Sequence, residues 1–405
     1  MLVGMSTSTL ALRRRFRPSA EAGGSGGEPS LRIAIVAETF LPAVNGVTNS
    51  VVQVATHMRD RGHDVLIIAP GPGDTEFDGC PVVRVPSVEL PRYRDLRIGR
   101  PSRFIGAALR DFRPDVVHVA APVVLGLLAL RAARKQGVPT VAIYQTDLPG
   151  FAERYGLGAW SSAMWRWVVW THEQADLTLA PSTAALWDLR HRGVTNVARW
   201  ARGVDIDRFD PRHRCDELRA SLGAPAKVLV GYVGRLAKEK QVERLEPLLD
   251  DPSVHLVIVG DGPARAELEH TLRGATFVGF QGGTDLGRHV ASLDVFVHTG
   301  VDETFCQAVQ EALASGVPVV APAAGGPLDL VQHGGNGFLW NPQSPVALVG
   351  GVHELANSSA LREQMGRAAR VSVEGRTWTA IMDQLVGHYR ATVSGLAFAY
   401  GAVAR

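Results

Sequence analysis

Cysteine is scarce in this 405-residue chain, which contains three: Cys80, Cys215 and Cys306. They lie far apart and form no C-x-x-C pair, so the sequence gives no sign of a disulfide framework or a zinc site. Such usage is typical of a reducing compartment, and we expect a cytoplasmic protein. The chain also lacks G-x-S-x-G, H-E-x-x-H and P-loop motifs, which excludes several common hydrolase and nucleotide-triphosphate sites.

Long apolar runs are also lacking. No stretch reaches the roughly 18 apolar residues that a membrane-spanning helix needs. The first 30 residues carry their arginines after a short apolar patch rather than before it, which argues against a signal peptide. An arginine-rich start is compatible with a transit peptide, but the Gly-, Ser- and Pro-rich continuation favours a disordered extension over residues 1–30.

Net charge is close to zero. A formal charge of +2 predicts no general attraction to nucleic acid. Between residues 90 and 114, however, seven arginines face three acidic residues when the neighbouring Glu89 is counted. This arginine cluster is a candidate for peripheral contact with the anionic inner face of the cell membrane, and Trp160, Trp167 and Trp170 share a helical face that could accept a lipid tail. A solvated loop and an aromatic core face are the alternatives.

Short apolar strands alternate with helical stretches from Leu31 onward. The first series of strand-like segments is RIAIVAET, DVLIIAP, VVRVP, DVVHVAAP, PTVAIYQTD and LTLAPS, with helices expected near residues 50–61 and 125–135. The second series is KVLVGYVGR, HLVIVGDGP, ATFVG, DVFVHTG, PVVAP and GFLW. This alternation predicts an α/β protein with two tandem Rossmann-like domains, each built on a parallel sheet.

The same alternation predicts the domain boundaries. After the extension we expect an N-terminal domain over residues 31–202 and a C-terminal domain over residues 227–376. Residues 203–226 form the linker and lead into the second domain. Residues 377–405 remain as a C-terminal helical segment.

Ligands of such sheets bind outside the carboxyl ends of the strands, where loops enter helices. In the first domain this rule selects the loop with Asn45 and Gly46, His118 after the fourth strand, and the segment Tyr144 to Asp147 after the fifth. Gly46 would let a ligand approach the backbone closely, whereas a lone histidine at a strand end is more often structural. In the second domain the selected loops are Gly234 to Lys240, Gly260 to Pro263, Val278 to Gln281, the loop of Glu303, and Ala324 to Pro327.

The segment DVFVHTGVDETFCQAVQEALASG, residues 294–316, is predicted to form a strand, a loop and a helix that starts at Phe305. Glu303 lies at the mouth of this helix and Glu311 inside it, about 12 Å apart at 1.5 Å per residue. Paired glycosidase carboxylates are roughly 5 to 9.5 Å apart, so an acid/base pair is not indicated. The spacing favours one long ligand across the helix N-terminus, with a carboxylate at each end. The N–H groups facing its middle would be those of Thr304, Phe305 and Cys306. A core helix with two solvated glutamates is the alternative.

Arg235 and Lys240 flank a short loop after a predicted strand and bring two cations to the carboxyl edge of the sheet. A diphosphate needs such partners. In transfer from a sugar nucleotide, negative charge develops on the leaving diphosphate, and fixed cations stabilise it without a metal. A solvated surface pair is the alternative.

Two shorter patterns predict nothing further. Asp205-Ile206-Asp207 has the D-x-D form of some metal sites, but it lies in the predicted linker, and we expect no metal there. Gly260-Asp261-Gly262 begins like a dinucleotide fingerprint, but Arg265 replaces the third glycine, which argues against NAD.

The combination of tandem Rossmann-like domains, VGR followed by EK, and E-x7-E after a strand resembles the retaining GT-B glycosyltransferases of the glycogen-synthase-like kind, family 4 type, over roughly residues 31–390. More narrowly, AETFLPAVNGVTNSV, AIYQTDLPGF, RWARGVD and DETFCQAVQEALASG are similar to segments of GDP-mannose-dependent α-mannosyltransferases that decorate glycolipids and lipoglycans. Asn45-Gly46 departs from the glycine pair of many relatives. Cys306 departs from their usual glycine but resembles the narrower group.

The resemblance implies a role for each candidate residue. Arg235 and Lys240 would bind the donor diphosphate, and Gly46 would approach it from the other domain. Glu303 would face the transferred sugar, and Glu311 would accept hydrogen bonds from the ribose hydroxyls. The remaining donor-binding residues would be Val278, Gly279 and Phe280 around the base and Thr304, Phe305 and Cys306 around the sugar. His118 would contact the sugar, and the acceptor would lie near Asn45, Tyr144, Gln145 and Asp147.

The resemblance further implies a hexosyltransferase that moves an α-mannosyl unit from GDP-mannose to a glycolipid or lipoglycan hydroxyl with retention, in a cleft between two facing domains. It implies no cofactor and no metal, and a last helix within residues 377–405 that packs on the N-terminal domain. Three alternatives remain. They are a UDP-sugar-dependent hexosyltransferase for a glycolipid or small-molecule acceptor, a non-catalytic nucleotide-sugar-binding protein, and an epimerase or phosphorylase of the same architecture.

Overall fold

The computed structural model describes residues 29–43, 45–90, 93–99, 103–145, 161–223 and 227–395. The chain divides into two units, each with its own sheet. Unit 1 comprises residues 1–180, 188–199 and 382–405, and unit 2 comprises residues 181–187 and 200–381.

Unit 1 contains an eight-stranded sheet in the order β10-β9-β8-β7-β1-β2-β4-β3, in which only the pair β3/β4 is antiparallel. Its strands are β1 (Arg32–Val36), β2 (Asp64–Pro70), β3 (Glu76–Phe77), β4 (Cys80–Val85), β7 (Val116–Val119), β8 (Thr140–Ile143), β9 (Leu177–Ala180) and β10 (Val197–Arg199). An antiparallel hairpin, β5 (Ser87–Leu90) with β6 (Tyr93–Gly99), lies outside this sheet. The first helices are α1 (Gly46–Asp60), α2 (Arg103–Phe112), α3 (Leu125–Lys135), α4 (Ser161–His172) and α5 (Thr183–His191).

Unit 2 contains a six-stranded, fully parallel sheet in the order β13-β12-β11-β14-β15-β16. Its strands are β11 (Val228–Val233), β12 (Val254–Val259), β13 (Thr276–Gly279), β14 (Val295–Val297), β15 (Val319–Pro322) and β16 (Gly337–Trp340). The helices that follow are α6 (Asp216–Ser221), α7 (Arg265–Thr271), α8 (Gly283–Ala291), α9 (Gln307–Ala314), α10 (Pro345–Ala356), α11 (Ser359–Val373) and α12 (Trp378–Val393).

The central strands of both sheets are buried on both faces, as the short continuous apolar runs predict. In β1, the four residues Ile33–Val36 are fully buried, and so are all three residues of β14. All twelve predicted strand segments are strands, and the predicted helix over residues 125–135 has the observed bounds of α3. The predicted α/β class with two parallel-sheet domains is therefore confirmed.

One helix boundary differs from expectation, and one further segment forms a 3₁₀ helix. Helix α1 begins at Gly46 rather than near Ser50, because the side chain of Asn45 accepts a hydrogen bond from Thr48 N and caps the helix there. Residues Val242–Asp250 form a 3₁₀ segment, and Pro247 inside it cannot donate the backbone hydrogen bond that an α-helix requires. In the described residues, no helix is both long and apolar enough to cross a membrane.

The last helix, α12, enters unit 1 at Met382. There the carboxylate of Asp383 binds His57 at 3.1 Å and Arg61 at 2.6 Å, both at the end of α1. Deeper in the unit, the hydroxyl of Tyr389 lies 2.7 Å from Nδ1 of His118. Polar contacts at two depths thus hold this helix against elements that precede it by more than 250 residues.

Candidate functional site

The strand order of unit 2 reverses direction between β11 and β14. At such a switch point the loops leave neighbouring strands on opposite sides and open a crevice at the carboxyl edge, where ligands bind. The loop after β11 contains Arg235 and Lys240, and the loop after β14 contains Glu303. Topology therefore brings three predicted site residues to one position of the fold.

Close glycine contacts fix the loop after β11. A Cβ atom on Gly260 would lie 1.9 Å from the carbonyl oxygen of Gly234, and one on Gly262 would lie 2.3 Å from that of Leu236. The backbone of Leu236 also donates a hydrogen bond to Asp261 O at 2.9 Å. The G-x-G pattern after β12 thus serves backbone packing, because it lets two ligand-side loops touch.

A buried ion pair joins the two switch-point loops. Nζ of Lys240 donates to Oε1 of Glu303 at 2.6 Å, and both side chains are largely buried. Burial alone would raise the pKa of Glu303, but His298 and the charge of Lys240 lower it to about 2. Burial alone would lower the pKa of Lys240, but Glu303 raises it. Glu303 is therefore a carboxylate, and Lys240 an ammonium ion, at every physiological pH.

Helix α9 begins at Gln307, two residues later than predicted. Cys306 precedes it with φ of 77°, a left-handed conformation that stops the helix from extending backwards. In the described part of the chain, the backbone N–H groups of Thr304, Phe305 and Cys306 donate no hydrogen bond to protein. The predicted donors are thus present, but they belong to a loop rather than to the first helical turn.

Two glycines support this loop from behind. Gly326 N donates to Glu303 O at 2.8 Å. A Cβ atom on Gly326 would lie 2.0 Å from the carbonyl oxygen of Phe305, and one on Gly325 would lie 2.4 Å from that of Glu303. The predicted loop Ala324 to Pro327 therefore shapes the Glu303 loop through its backbone.

Glu311 lies one helical turn beyond Gln307 on α9. Burial raises its pKa to about 7, even though a hydrogen bond with Gln307 and the charge of Arg208 lower it in part. Gln307 also donates to Gly203 O at 3.0 Å, which ties the first turn of α9 to the predicted linker. The second carboxylate of the E-x7-E pattern is thus held in place but easily protonated, in contrast to Glu303.

The other predicted donor-binding residues lie on the same carboxyl edge. Arg235 is exposed and makes no ion pair with any residue that the structure describes. Gly279 ends β13 and bonds Gly260 N through its carbonyl at 2.8 Å, whereas the ring of Phe280 is 79% exposed. Val278 is partly buried against the core of the unit. An exposed cation and an exposed aromatic ring therefore lie at strand ends that a nucleotide could reach.

Unit 1 has its own switch point, between β7 and β1. Here Oε1 of Glu38 accepts hydrogen bonds from the N–H groups of Val123, Val124 and Gly126 at 3.1, 2.7 and 2.9 Å. These donors form the N-terminus of α3, a position that commonly binds anions. In unit 1 the donors at this helix N-terminus are therefore bound by the chain's own carboxylate.

Three of the predicted residues of unit 1 lie in different surroundings. Gly46 opens α1, is exposed, and has no atom within 4 Å of where a Cβ would lie. The Asn45 side chain caps that helix and bonds Thr39 at 3.1 Å. His118 is 1% exposed, and burial lowers its pKa to about 3, so it is a neutral partner of Tyr389. Its contact with sugar, like the acceptor role of Asn45, stays a prediction.

Tyr144 and Gln145 line a small cavity at the carboxyl ends of β7 and β8, with a volume of about 20 Å³. Tyr144 is 4% exposed and its ring lies against Trp165 and His172, while Gln145 donates to Ala120 O. Trp167 of α4 also lines the cavity and is 41% exposed. The remaining acceptor candidate, Asp147, lies outside the described residues, as does Trp160.

Two residues that support the site were not selected from the sequence. The Tyr232 hydroxyl donates to Arg235 O at 3.1 Å, and the Thr299 hydroxyl donates to Lys240 O at 2.6 Å. Each hydroxyl thus holds the backbone of a residue that is predicted to bind the diphosphate. Tyrosine inside a buried strand is the one available clue, since its hydroxyl must find a partner.

His298, Glu303 and Cys306 each bring one potential metal ligand within 4.8 Å of the others. The ammonium of Lys240 already binds the Glu303 oxygen of this group. A metal cation beside this ammonium would be strongly repelled. The cluster is therefore better described as a carboxylate paired with protein cations than as a metal site. The D-x-D aspartate Asp205 is engaged in a turn, with Arg208 N at 3.0 Å from its Oδ1.

Comparison with known proteins assigns both halves of the chain to glycosyl transfer. The family model described as Glycosyltransferase Family 4 matches residues 44–208, and that described as Glycosyl transferases group 1 matches residues 216–372. A GDP-mannose-dependent alpha-mannosyltransferase of Mycobacterium tuberculosis is 50% identical over 89% of this chain and 97% of its own length. An enzyme of the same name from Corynebacterium glutamicum is 46% identical over 89% and 88%.

The fold also matches solved structures. Anabaena Alr3699/HepE, crystallised with UDP and glucose, superposes with a TM-score of 0.72 over 89% of this chain and all of its own. Its sequence is 21% identical, so this likeness concerns the fold.

Proposed function

The chain belongs to glycosyltransferase family 4, and from this membership we propose that it moves an α-mannosyl unit from GDP-mannose to a hydroxyl of a glycolipid or lipoglycan, with retention of configuration. The observation that carries the proposal is the ion pair between Lys240 and Glu303 beside the exposed Arg235, at the switch point of a parallel sheet. These are the charges that a departing nucleoside diphosphate and a hydroxyl-rich sugar require.

In the proposed reaction, an acceptor hydroxyl attacks the mannosyl carbon as its bond to the diphosphate oxygen breaks, and the hydroxyl proton passes to the departing diphosphate on the same face. Arg235 and Lys240 stabilise the negative charge that develops on the diphosphate. Glu303 accepts hydrogen bonds from the sugar hydroxyls, and the free N–H groups of Thr304, Phe305 and Cys306 donate to sugar or phosphate oxygens. Two protein cations thereby provide the charge stabilisation that a metal supplies elsewhere, so we expect activity to survive chelation.

The decisive experiment follows labelled mannose from GDP-mannose into a lipid extract, beside UDP-glucose as the competing donor. We expect label in lipid from GDP-mannose only, and a loss of at least about 100-fold in Glu303→Ala, since an electrostatic contact to the reacting sugar is removed. Glu243→Ala, which changes an exposed glutamate of unit 2, is the matched control and should keep full activity.

Each alternative predicts a different outcome. Label from UDP-glucose alone would overturn the donor. Binding of GDP-mannose without turnover would indicate a silent binding protein, and conversion of the free nucleotide sugar without acceptor would indicate an epimerase. Peripheral membrane contact is tested by presenting the acceptor in anionic and in neutral vesicles. The arginine cluster between residues 90 and 114 predicts that mannosyl transfer is faster with anionic lipid.

Donor affinity should depend on pH through Glu311. In the proposed complex its carboxylate accepts bonds from the ribose hydroxyls, so the ionised form binds best. Because the pKa of Glu311 is about 7 in the free protein, the ionised fraction rises from about a tenth at pH 6 to about nine tenths at pH 8. Calorimetry should show GDP-mannose bound up to about 10-fold more tightly at pH 8 than at pH 6, the ratio of the two ionised fractions. The diphosphate ester of this ligand does not titrate in that range.

Glu311→Gln should bind more weakly and lose this pH dependence. Glu363→Gln, at a glutamate of α11 that is 71% exposed, should keep it. If the affinity of Glu311→Gln for GDP-mannose still rose with pH as in the parent protein, another group would be responsible for the titration.

A further inference from the structure

His298 directly follows β14 and lies next to the proposed reaction centre, although it belongs to no recognised pattern. Its side chain is 4% exposed. The ring lies parallel to that of Tyr232, with centroids 6.3 Å apart and an angle of 11° between the planes. The backbone N–H of His298 donates to Val320 O at 2.9 Å, and its carbonyl accepts from the indole Nε1 of Trp340 at 3.4 Å. The position of the ring is thus determined by the core.

The ring nitrogen Nε2 lies 3.2 Å from Oε1 of Glu303, the oxygen that also binds Lys240. Among the residues that the structure describes, neither ring nitrogen has an aligned hydrogen bond. A Cβ atom on Gly300 would lie 3.2 Å from Nε2 and 3.4 Å from Oε1. Glycine at this position therefore leaves room for the imidazole and the carboxylate to lie side by side.

The charges around the ring favour its protonated form. Burial alone would lower the pKa of His298, but Cys306 and the Glu303 carboxylate raise it. The other groups facing this position are the Lys240 ammonium, which opposes protonation, and the Tyr232 phenol, whose own pKa is raised by burial. An N–H on Nε2 is then available to Glu303.

We propose that His298 is a positioning residue for the transfer reaction: together with Lys240 it holds one oxygen of Glu303, so that the other oxygen faces the transferred sugar. The proposal rests on the proposed function of the Glu303 loop. With Lys240 bonded to this oxygen and Nε2 of His298 3.2 Å from it, rotation of the carboxylate is restricted, and a fixed acceptor stabilises the sugar without reorganisation at the moment of reaction. His298 therefore acts through Glu303 and has no contact with substrate of its own.

The test compares two neutral amides. In His298→Gln the side-chain amide reaches the place of Nε2 and can still donate to Glu303, whereas in His298→Asn it reaches only the place of Nδ1. We expect His298→Asn to weaken GDP-mannose binding about 10-fold and to lower kcat by a similar factor, with His298→Gln within about 3-fold of the parent protein. Binding of GDP, which lacks the sugar, should be unchanged in both.

Several outcomes would overturn the proposal. Equal losses in the two variants, or an equal loss of GDP binding, would indicate a structural role for the ring. A further loss when His298→Asn is added to Glu303→Gln would show that the histidine acts independently of the glutamate. His353→Gln, at a half-exposed histidine of α10, controls for loss of imidazole in the same unit. If the parent protein binds GDP but not GDP-mannose, the proposed function itself fails, a result distinct from any of these.

Discussion

Replacing Lys240 with alanine is expected to lower kcat for mannosyl transfer by about 10²- to 10³-fold, the cost of removing one fixed charge from a developing anion. The variant also leaves Glu303 without its ammonium partner inside a largely buried site. Part of the loss will therefore come from a displaced or protonated carboxylate. Steady-state kinetics with GDP-mannose and a saturating acceptor will measure it.

Lys238→Ala provides the matched control for this prediction. Lys238 lies two residues away in the same 3₁₀ turn but is exposed, and its loss should leave kcat within about 2-fold. The double variant Lys240→Ala/Glu303→Ala should have a kcat only slightly lower than that of either single variant, because the effects of residues that act as a unit are not additive. Fully additive losses would contradict a shared role for the ion pair.

Replacing Asp294 with alanine is expected to destabilise unit 2 by about 3 kcal/mol, because it breaks a buried charge network. Its carboxylate binds Arg214 at 2.6 Å and Arg219 at 2.9 Å, and accepts a bond from Leu229 N at 2.8 Å. The variant would leave the largely buried Arg219 without a counter-charge and a strand N–H without its acceptor. Thermal unfolding should occur roughly 6 to 12 °C lower.

The pH dependence of this network has a defined sign. Burial alone would raise the pKa of Asp294, but Arg219 and Arg214 lower it below the ordinary value of 3.8. The stabilisation is therefore complete above that pH and is lost as the pH falls through the folded-state pKa. Asp285→Ala, at an aspartate that is 66% exposed and 4.0 Å from Arg288, should leave the unfolding temperature unchanged. A similar shift in both variants would contradict the argument.

The placement of Arg235, Lys240 and Glu303 was predictable because each follows an apolar run that is typical of a strand. Parallel strands end at the same edge of a sheet, so Arg235, Lys240 and Glu303 had to lie at its carboxyl edge. That Lys240 binds Glu303 directly was not predictable, since it depends on β11 and β14 being neighbours although two strands separate them along the chain. Sequence order does not give spatial order here.

Other features depended on conformations that periodicity does not reveal. Apolar spacing places Phe305 inside the helix, but the left-handed backbone of Cys306 delays it to Gln307. The strand-end rule selected His118, but it could not reveal that the ring is buried and bonded to Tyr389, which lies 271 residues later along the chain. His298 was missed because the role of a buried histidine depends on its neighbours in space, which the sequence does not identify.

The assembly of unit 1 from both ends of the chain has a consequence for biosynthesis. His118 and Tyr389 are 271 residues apart, and at typical translation rates the ribosome needs roughly 15 to 50 s to cover that distance. Unit 2 ends at Ile381 and is complete earlier. A nascent chain therefore carries an unfinished unit 1 until its final helix emerges. A stop codon between Ile381 and Tyr389 would leave a complete unit 2 attached to a unit 1 that lacks this helix, a target for chaperones and proteases.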